Sequence, residues 1–235
     1  MISAIVPAYN ETTVGVVVEK LLSYDFIEKV IVVDDGSKER VRIIHERVEV
    51  IRNERNLGKE HSIKRGLERV ETPYVLLQDA DLEYPVENVE FLYSYLPADM
   101  VVAKRFVPID KITLSGVIAN RLITFLLKSP DVFSGQRIIR KELLEKVVGE
   151  GGFELETKLT LRARREGWSV VFVDTFYYPR GYKEGKKIRA WHMIPILWEV
   201  LKDGFFRPSY SKAQIQDSVK GDTSYLSIFK QSQDS

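Results

Sequence analysis

Asp79-Ala80-Asp81 is the string with the plainest chemistry. Two carboxylates at i and i+2, directly after the apolar run Tyr74 to Leu77, can both reach one hard cation. Oxygen donors select magnesium or manganese, ions that usually hold a substrate phosphate as well. Glu83, two residues on, could add a third oxygen. A short acidic loop that is simply solvated is the competing reading. Asp34-Asp35-Gly36-Ser37 closes another apolar run and can hydrogen-bond a ribose or a base. The same residue types also make a tight turn with a helix cap. Pro7-Ala8-Tyr9-Asn10-Glu11 offers an aromatic face and amide groups to a base, unless Asn10 or Thr12 merely starts the next helix. Asn56-Leu57-Gly58-Lys59 brings a cation and backbone N–H groups toward a phosphate. The P-loop string and the Gly-x-Gly-x-x-Gly fingerprint are both missing, which disfavours those two nucleotide sites. His45, His61 and His192 are scattered and read as structural.

These residues need elements to position them. Continuous apolar runs at Ile2 to Val6, Val30 to Val33, Val48 to Ile51 and Tyr74 to Leu77 alternate with helical spacing at Thr12 to Leu22 and at Ile63, Leu67 and Val70. That alternation gives β-α-β units and an α/β fold, a mostly parallel central sheet with helices on both faces. Ligands of such sheets bind beyond the carboxyl ends of the strands, where the polar and acidic segments collect. Further on, Met100 to Ala103, Phe133 to Ile139 and Val170 to Val173 read as strands, and Leu114 to Leu127 and Glu154 to Arg165 as helices. Ile188 to Phe206 is a strongly apolar helix with a narrow polar face. After Arg207 the composition turns to Ser, Gln, Asp and Lys, an arm or a disordered end.

The 235 residues suit one sizeable core, and 35 basic against 34 acidic residues give a net charge of +1. That balance argues against a nucleic-acid binder held by bulk electrostatics. Without cysteine there is no disulfide, zinc–thiolate site, iron–sulfur cluster or cysteine nucleophile. No apolar run reaches the ~18–20 residues that span a bilayer. The N-terminus lacks the pattern of a signal peptide. The expected location is cytoplasmic, peripheral on the cytoplasmic face of the membrane.

In order, IVPAYNE at Ile5 to Glu11, VVDDGS at Val32 to Ser37, NLGK at Asn56 to Lys59 and QDADLEYP at Gln78 to Pro85 resemble the family 2 glycosyltransferases of the GT-A fold. SGQRIIRKELL at Ser134 to Leu144, GFELETKL at Gly152 to Leu159 and the Arg180 to Lys187 stretch resemble, within that family, the polyprenyl-phosphate (dolichol-phosphate) mannose or glucose synthases. The similarity runs from Met1 to about Lys187. It implies a glycosyltransferase domain over 1–187, the apolar helix over 188–206 and the tail over 207–235.

The resemblance also implies roles. Pro7, Tyr9, Glu11 and Asp35 match positions that hold base and ribose, within a nucleotide site of Pro7, Ala8, Tyr9, Asn10, Glu11, Asp34, Asp35, Lys59, Asp79 and Ala80. Asp79 and Asp81 match the metal pair, and Glu83 stands where the family often has Gln. Arg105 matches the basic residue ending the next strand, Arg137 lies in the segment that meets the acceptor phosphate, and Arg180 and Lys187 match basic residues of a loop over the diphosphate. Three departures stand out: Glu60 follows Gly58-Lys59, Lys158 stands where an acid is common, and the basic loop closes as Gly185-Lys186-Lys187.

The implied reaction moves a hexose from a nucleoside diphosphate sugar (GDP-mannose or UDP-glucose type) to a polyprenyl phosphate, with inversion, using Mg2+ or Mn2+. A phosphate acceptor is already anionic, and Arg105 and Arg137 would orient it. A hydroxyl acceptor on a glycan or glycolipid would need a carboxylate base, Glu154 or Glu156, whose alternative role is to complement a helix dipole. A non-catalytic nucleotide-sugar-binding subunit is the reading from another class, and a nucleotidyltransferase a more distant one. The apolar helix, with Trp191 and Trp198 on one stripe behind Lys186, Lys187 and Arg189, suits the headgroup region of a membrane, a core or a homodimer interface.

Overall fold

The structure is a computed structural model, and it describes residues 1–106, 131, 133–149 and 155–179 together with the backbone of 215–217. Eight strands form one sheet: β1 (Ile2–Ala8), β2 (Ile27–Asp34), β3 (Val48–Arg52), β4 (Tyr74–Leu77), β5 (Met100–Phe106), β6 (Arg137–Arg140), β7 (Val170–Phe176) and β8 (Ile215–Asp217). Their order is β3-β2-β1-β4-β6-β5-β7-β8. Every pairing is parallel except the two made by β6, which runs against β4 and β5. The mostly parallel α/β sheet expected from the apolar runs is therefore present.

Alternation along each strand divides the core into two layers, as a period of two residues requires. Ile2, Ala4, Val6 and Ala8 of β1 join Val30 and Val32 on one face. There α1 (Val14–Leu22) lays down Val14, Val17, Val18 and Leu21, and α3 (Asn88–Tyr93) adds Val89 and Leu92. Ile5, Ile31, Val33, Val75 and Leu77 point to the other face. It is covered by α2 (Lys59–Leu67), α4 (Lys141–Val147) and α5 (Leu155–Glu166) through Ile63, Leu67, Leu143, Leu144, Val147, Leu159 and Ala163. Helices on both faces keep the strands dry, which is why they read as unbroken apolar runs rather than alternating ones.

Several boundaries differ from the sequence reading, each for a tertiary reason. Pro7 does not end β1. The Ile5 carbonyl accepts from Gln78 on the β4 side and the Ala8 carbonyl accepts from Asp35 on the β2 side. Alternation therefore turns the Pro7 nitrogen toward β4, where pairing has already stopped at Ile5, and no ladder bond is lost. β2 starts earlier than Val30, because Ile27 pairs with Ile2. β6 starts at Arg137 rather than Phe133; just before it the Gly135 N–H bonds the Tyr84 hydroxyl and the Gln136 side chain bonds Gln78. Helices α3 and α4 were not expected at all. Within the polar tail, Ile215–Asp217 form an edge strand beside β7. The expected helix Leu114 to Leu127 and the apolar helix 188–206 lie outside the described residues.

Candidate active site

All parallel strands deliver their carboxyl ends to one edge of the sheet, and β6, running the other way, delivers its start there. Around that edge stand Tyr9 to Glu11 after β1, Asp35 to Ser37 after β2, Gln78 to Asp81 after β4, Ser134 to Arg137 before and in β6, and Arg105 near the end of β5.

The β1 and β2 loops are laced together. Asn10 takes the left-handed conformation, φ 52°, which Asn tolerates better than most residues. Its N–H donates to Ser37 Oγ at 2.9 Å, and its side-chain oxygen accepts from Lys38 N–H at 2.8 Å. Asn10 is therefore not the cap of α1, and neither is Thr12. The cap position belongs to Thr13, whose hydroxyl donates at 2.6 Å to the carbonyl of Ala80 and pins the start of α1 to the acidic loop.

Asp34 and Asp35 have different duties. Asp34 is buried and accepts from Ser37 N–H at 2.9 Å, Val41 N–H at 3.2 Å and the Arg52 guanidinium. Burial pushes its carboxyl up, but these bonds outweigh burial and hold it below the ordinary carboxylate range. Asp34 thus builds the turn. Asp35 accepts from the Asn53 amide at 2.7 Å, Leu57 N–H at 2.9 Å and Gly58 N–H at 2.8 Å. It draws the 56–58 loop against β2 and aims α2, so Lys59 arrives at the crevice. Gly36, at φ 75°, passes so close to Arg55 that a Cβ would lie 2.5 Å from its backbone carbonyl carbon.

The centre of the crevice is an ion-paired trio. Lys59 Nζ lies 2.6 Å from Asp79 Oδ1 and 2.9 Å from Glu156 Oε1. Burial pulls the Lys59 ammonium down, but Asp79 and Glu156 overcome this and hold its pKa well above the usual lysine value. Burial likewise raises Glu156, and Lys59 with Arg137 more than offsets it, so the carboxyl stays ionised below its ordinary range. The second oxygen of Asp79 packs on Gly135, where a Cβ would fall 2.4 Å from Oδ2. Gly135 donates its N–H at 3.0 Å to the hydroxyl of Tyr84, a buried phenol pushed up to about 12 chiefly by desolvation.

The acidic loop is held in one shape. Glu83 N–H donates to Asp81 Oδ1 at 3.1 Å, Tyr178 N–H donates to the Glu83 carbonyl at 2.8 Å, and Leu82 sits at φ 60°. A left-handed leucine costs on the order of 1–2 kcal/mol, so its surroundings must hold it there. Beneath lies a chain of buried amides: Asn88 donates to Gln136 Oε1 at 3.0 Å, and Gln136 donates to Gln78 Oε1 at 2.6 Å. Gln78 in turn donates to the carbonyls of Asp79 and Tyr84.

The donor set of this corner suits a divalent ion. Asp79 and Asp81 are hard oxygen donors, Asp79 already takes a cation in Lys59, and the missing side chain of Gly135 makes room for the Asp79 carboxylate. Among the described residues no three acidic or histidine side chains gather as a metal group. Glu83 therefore does not complete a set with Asp79 and Asp81; its carboxylate instead accepts the hydroxyl of Tyr177. An ion here would draw its remaining oxygens from a phosphate and water, as magnesium sites commonly do.

Two arginines expected to face an acceptor are committed to the protein. Arg105 makes a bidentate pair with Asp131, 2.6 Å at both contacts, over the ring of Tyr177. Arg137 has no exposed surface; it bonds the carbonyls of Glu156 and Ser134, bracing β6 to α5 from behind. Its direct contact with an acceptor is thus corrected to a bracing role. Tyr9 and Leu57 are exposed. Pro7 and Ala8 end β1 beneath them. Glu154, Arg180 and Lys187 lie outside the described residues. Sequence reasoning missed Gly135, Asp131, Tyr177 and the Asn88–Gln136–Gln78 chain. Only Gln78 and Gln136, polar residues beside buried strands, carried a usable signal.

The chain matches glycosyl transferase family 2 over residues 3–148. It belongs to that family. An uncharacterized protein of Methanocaldococcus jannaschii is 30% identical over 215 residues, covering 79% of this chain and 93% of the relative. CsbB of Bacillus subtilis, which carries a glycosyltransferase name, is 34% identical over 121 residues, 45% of this chain and 36% of that protein. Among solved structures, glucosyl-3-phosphoglycerate synthase of Mycobacterium tuberculosis with UDP has a TM-score of 0.68 at 19% identity, over 89% of this chain and 82% of that one. The same enzyme with Mn2+, UDP-glucose and phosphoglyceric acid gives 0.67 at 19% identity, over 89% and 81%. At that identity the likeness is one of fold, the GT-A fold. The family 2 motifs of this glycosyltransferase map onto the crevice just described.

Proposed function

We propose that this chain is a metal-dependent hexosyltransferase that moves the sugar of a nucleoside diphosphate donor, with inversion, to a polyprenyl phosphate. The observation that carries the reading is the clasp of Lys59 between Asp79 and Glu156 at the carboxyl end of β4, with Asp81 two residues further along the same loop. Tyr9, Glu11 and Asp35 would border the base and ribose. Lys59 would face the diphosphate, as would Arg180 and Lys187 from their loop. When bound, Mg2+ or Mn2+ on Asp79 and Asp81 supplies charge stabilisation to the departing diphosphate. An acceptor phosphate is already anionic and needs no base. Membrane contact through 188–206 belongs to the same proposal, because a polyprenyl chain resides in the bilayer. Among the described residues no helix is long and apolar enough to cross a membrane.

A hydroxyl acceptor is the second reading. It is favoured by the ionised carboxylate of Glu156 in the crevice and by the commitment of Arg105 and Arg137 to other partners. A structural neighbour was crystallised with UDP-glucose and phosphoglyceric acid. Nucleoside diphosphate release from UDP-glucose and GDP-mannose with Mn2+, in the presence of polyprenyl phosphate, 3-phosphoglycerate or neither, tests both. Stimulation by the lipid alone is the expected result. Stimulation only by the soluble acceptor transfers the conclusion to the second reading. Asp81→Ala is expected to lower turnover by about a hundredfold or more. Undiminished turnover in that variant would end the metal role.

A further inference from the structure

Lys59 is the first residue of α2, and although its side chain is 39% exposed, its ammonium is held in place. It is clasped between two carboxylates, 2.6 Å from Asp79 and 2.9 Å from Glu156. Asp79 has little freedom on its other side, where its second oxygen lies against Gly135. The first aspartate of the acidic pair therefore already holds a cation, supplied by the protein. A divalent ion approaching Asp79 meets both that occupied oxygen and the repulsion of an ammonium a few ångströms away.

We propose that Lys59 is a resident counter-cation that keeps Asp79 closed to a divalent ion until the donor arrives. A diphosphate entering the crevice offers Lys59 better-charged oxygens than a single carboxylate does. The ammonium would then move from Asp79 to the diphosphate, which would free Asp79 to help hold the ion. The two affinities are then coupled, and the coupling factor is the same whichever binds first. The inference rests on the proposed function, since it takes Asp79 and Asp81 as the metal pair, and it adds the order of events. It makes Lys59 a positioning residue whose main effect is on metal affinity in the absence of nucleotide.

The test is a Mn2+ titration of the full chain, following the free-ion electron paramagnetic resonance signal with and without UDP or GDP. Wild type is expected to bind Mn2+ weakly alone and much more tightly with nucleotide. Lys59→Met is expected to bind Mn2+ about tenfold more tightly than wild type when nucleotide is absent, because the competing charge is gone, with the nucleotide enhancement correspondingly smaller. Lys59→Arg, which keeps the cation, should retain the wild-type pattern. Lys59 is 39% exposed at a helix start, so the Met variant should fold. Lys59→Gln, also neutral, carries the same expectation should it not. Donor-free affinity in the neutral variants equal to or weaker than wild type overturns the role of Lys59 and leaves the proposed function standing. Failure of the wild type to bind Mn2+ even with nucleotide overturns the metal reading and this inference with it.

Discussion

Replacing Gly135 by Ala probes the crevice at its tightest point. The added Cβ would lie 2.4 Å from Asp79 Oδ2, 3.4 Å from Asp79 Cγ and 3.2 Å from Lys59 Nζ. Real Cβ contacts essentially never fall under 3.0 Å, so at least 0.6 Å of separation must be found. The backbone is poorly placed to supply it. Gly135 N–H is tied to the buried hydroxyl of Tyr84, and the next residues, Gln136 and Arg137, are locked by the amide chain and by the carbonyls of Glu156 and Ser134. Asp79 must therefore move, and with it the 2.6 Å contact to Lys59. Reactive geometry tolerates about 0.5 Å, and a misplacement of about 1 Å costs on the order of a hundredfold. We expect kcat/KM for nucleoside diphosphate release to fall about 10- to 100-fold, with weaker Mn2+ binding in the presence of nucleotide. Overpacking one methyl costs about 1–3 kcal/mol, so the variant should still fold, as a urea melt will record. Wild-type kcat/KM together with wild-type Mn2+ affinity would refute the reasoning, because it would mean that the position of Asp79 does not matter.

Two further outcomes concern what holds the fold. The Asp34 and Asp99 carboxyls are both raised by burial but lowered further by their hydrogen bonds, so the unfolded chain takes up their protons first as pH falls. Their stabilisation is present above the unfolded value of 3.8 and is lost as pH drops through the depressed folded values; urea melts from about pH 7 to about pH 3 should show this loss, and Asp34→Asn should show a shallower one. Removing Asp131 strands the Arg105 guanidinium beside Tyr84 and Tyr177. Asp131→Ala should destabilise by about 2–3 kcal/mol, and Arg105→Met in the same chain should recover much of it, both read from denaturant midpoints.

Much of this protein was legible in the order of its residues. Apolar runs ending in Asp34-Asp35 and Gln78-Asp79 required buried parallel strands with polar carboxyl ends, because a strand covered on both faces has no alternation to display. The acidic pair, the Asp35 loop and Lys59 were each visible as local strings. What each does depends on what lies across the crevice. Asp34 and Asp35 look alike in sequence, yet one folds a turn and the other anchors the 56–58 loop. Arg105 and Arg137 looked free to grip an acceptor, yet Asp131 neutralises one and the fold buries the other. Glu60 and Lys158, two departures from the family pattern, face each other at 3.6 Å as an ion pair between α2 and α5.

The sequence by itself determined seven of the eight strands to within a few residues, the helices on both faces and the kind of chemistry at the strand ends, because periodicity and side-chain type are local properties. Only the tertiary structure decided that Lys59 sits between Asp79 and Glu156, and that Gly135 must lack a side chain to let Asp79 in. Those contacts join residues on separate elements, and the distance between two charges is fixed by how the elements pack rather than by their spacing along the chain.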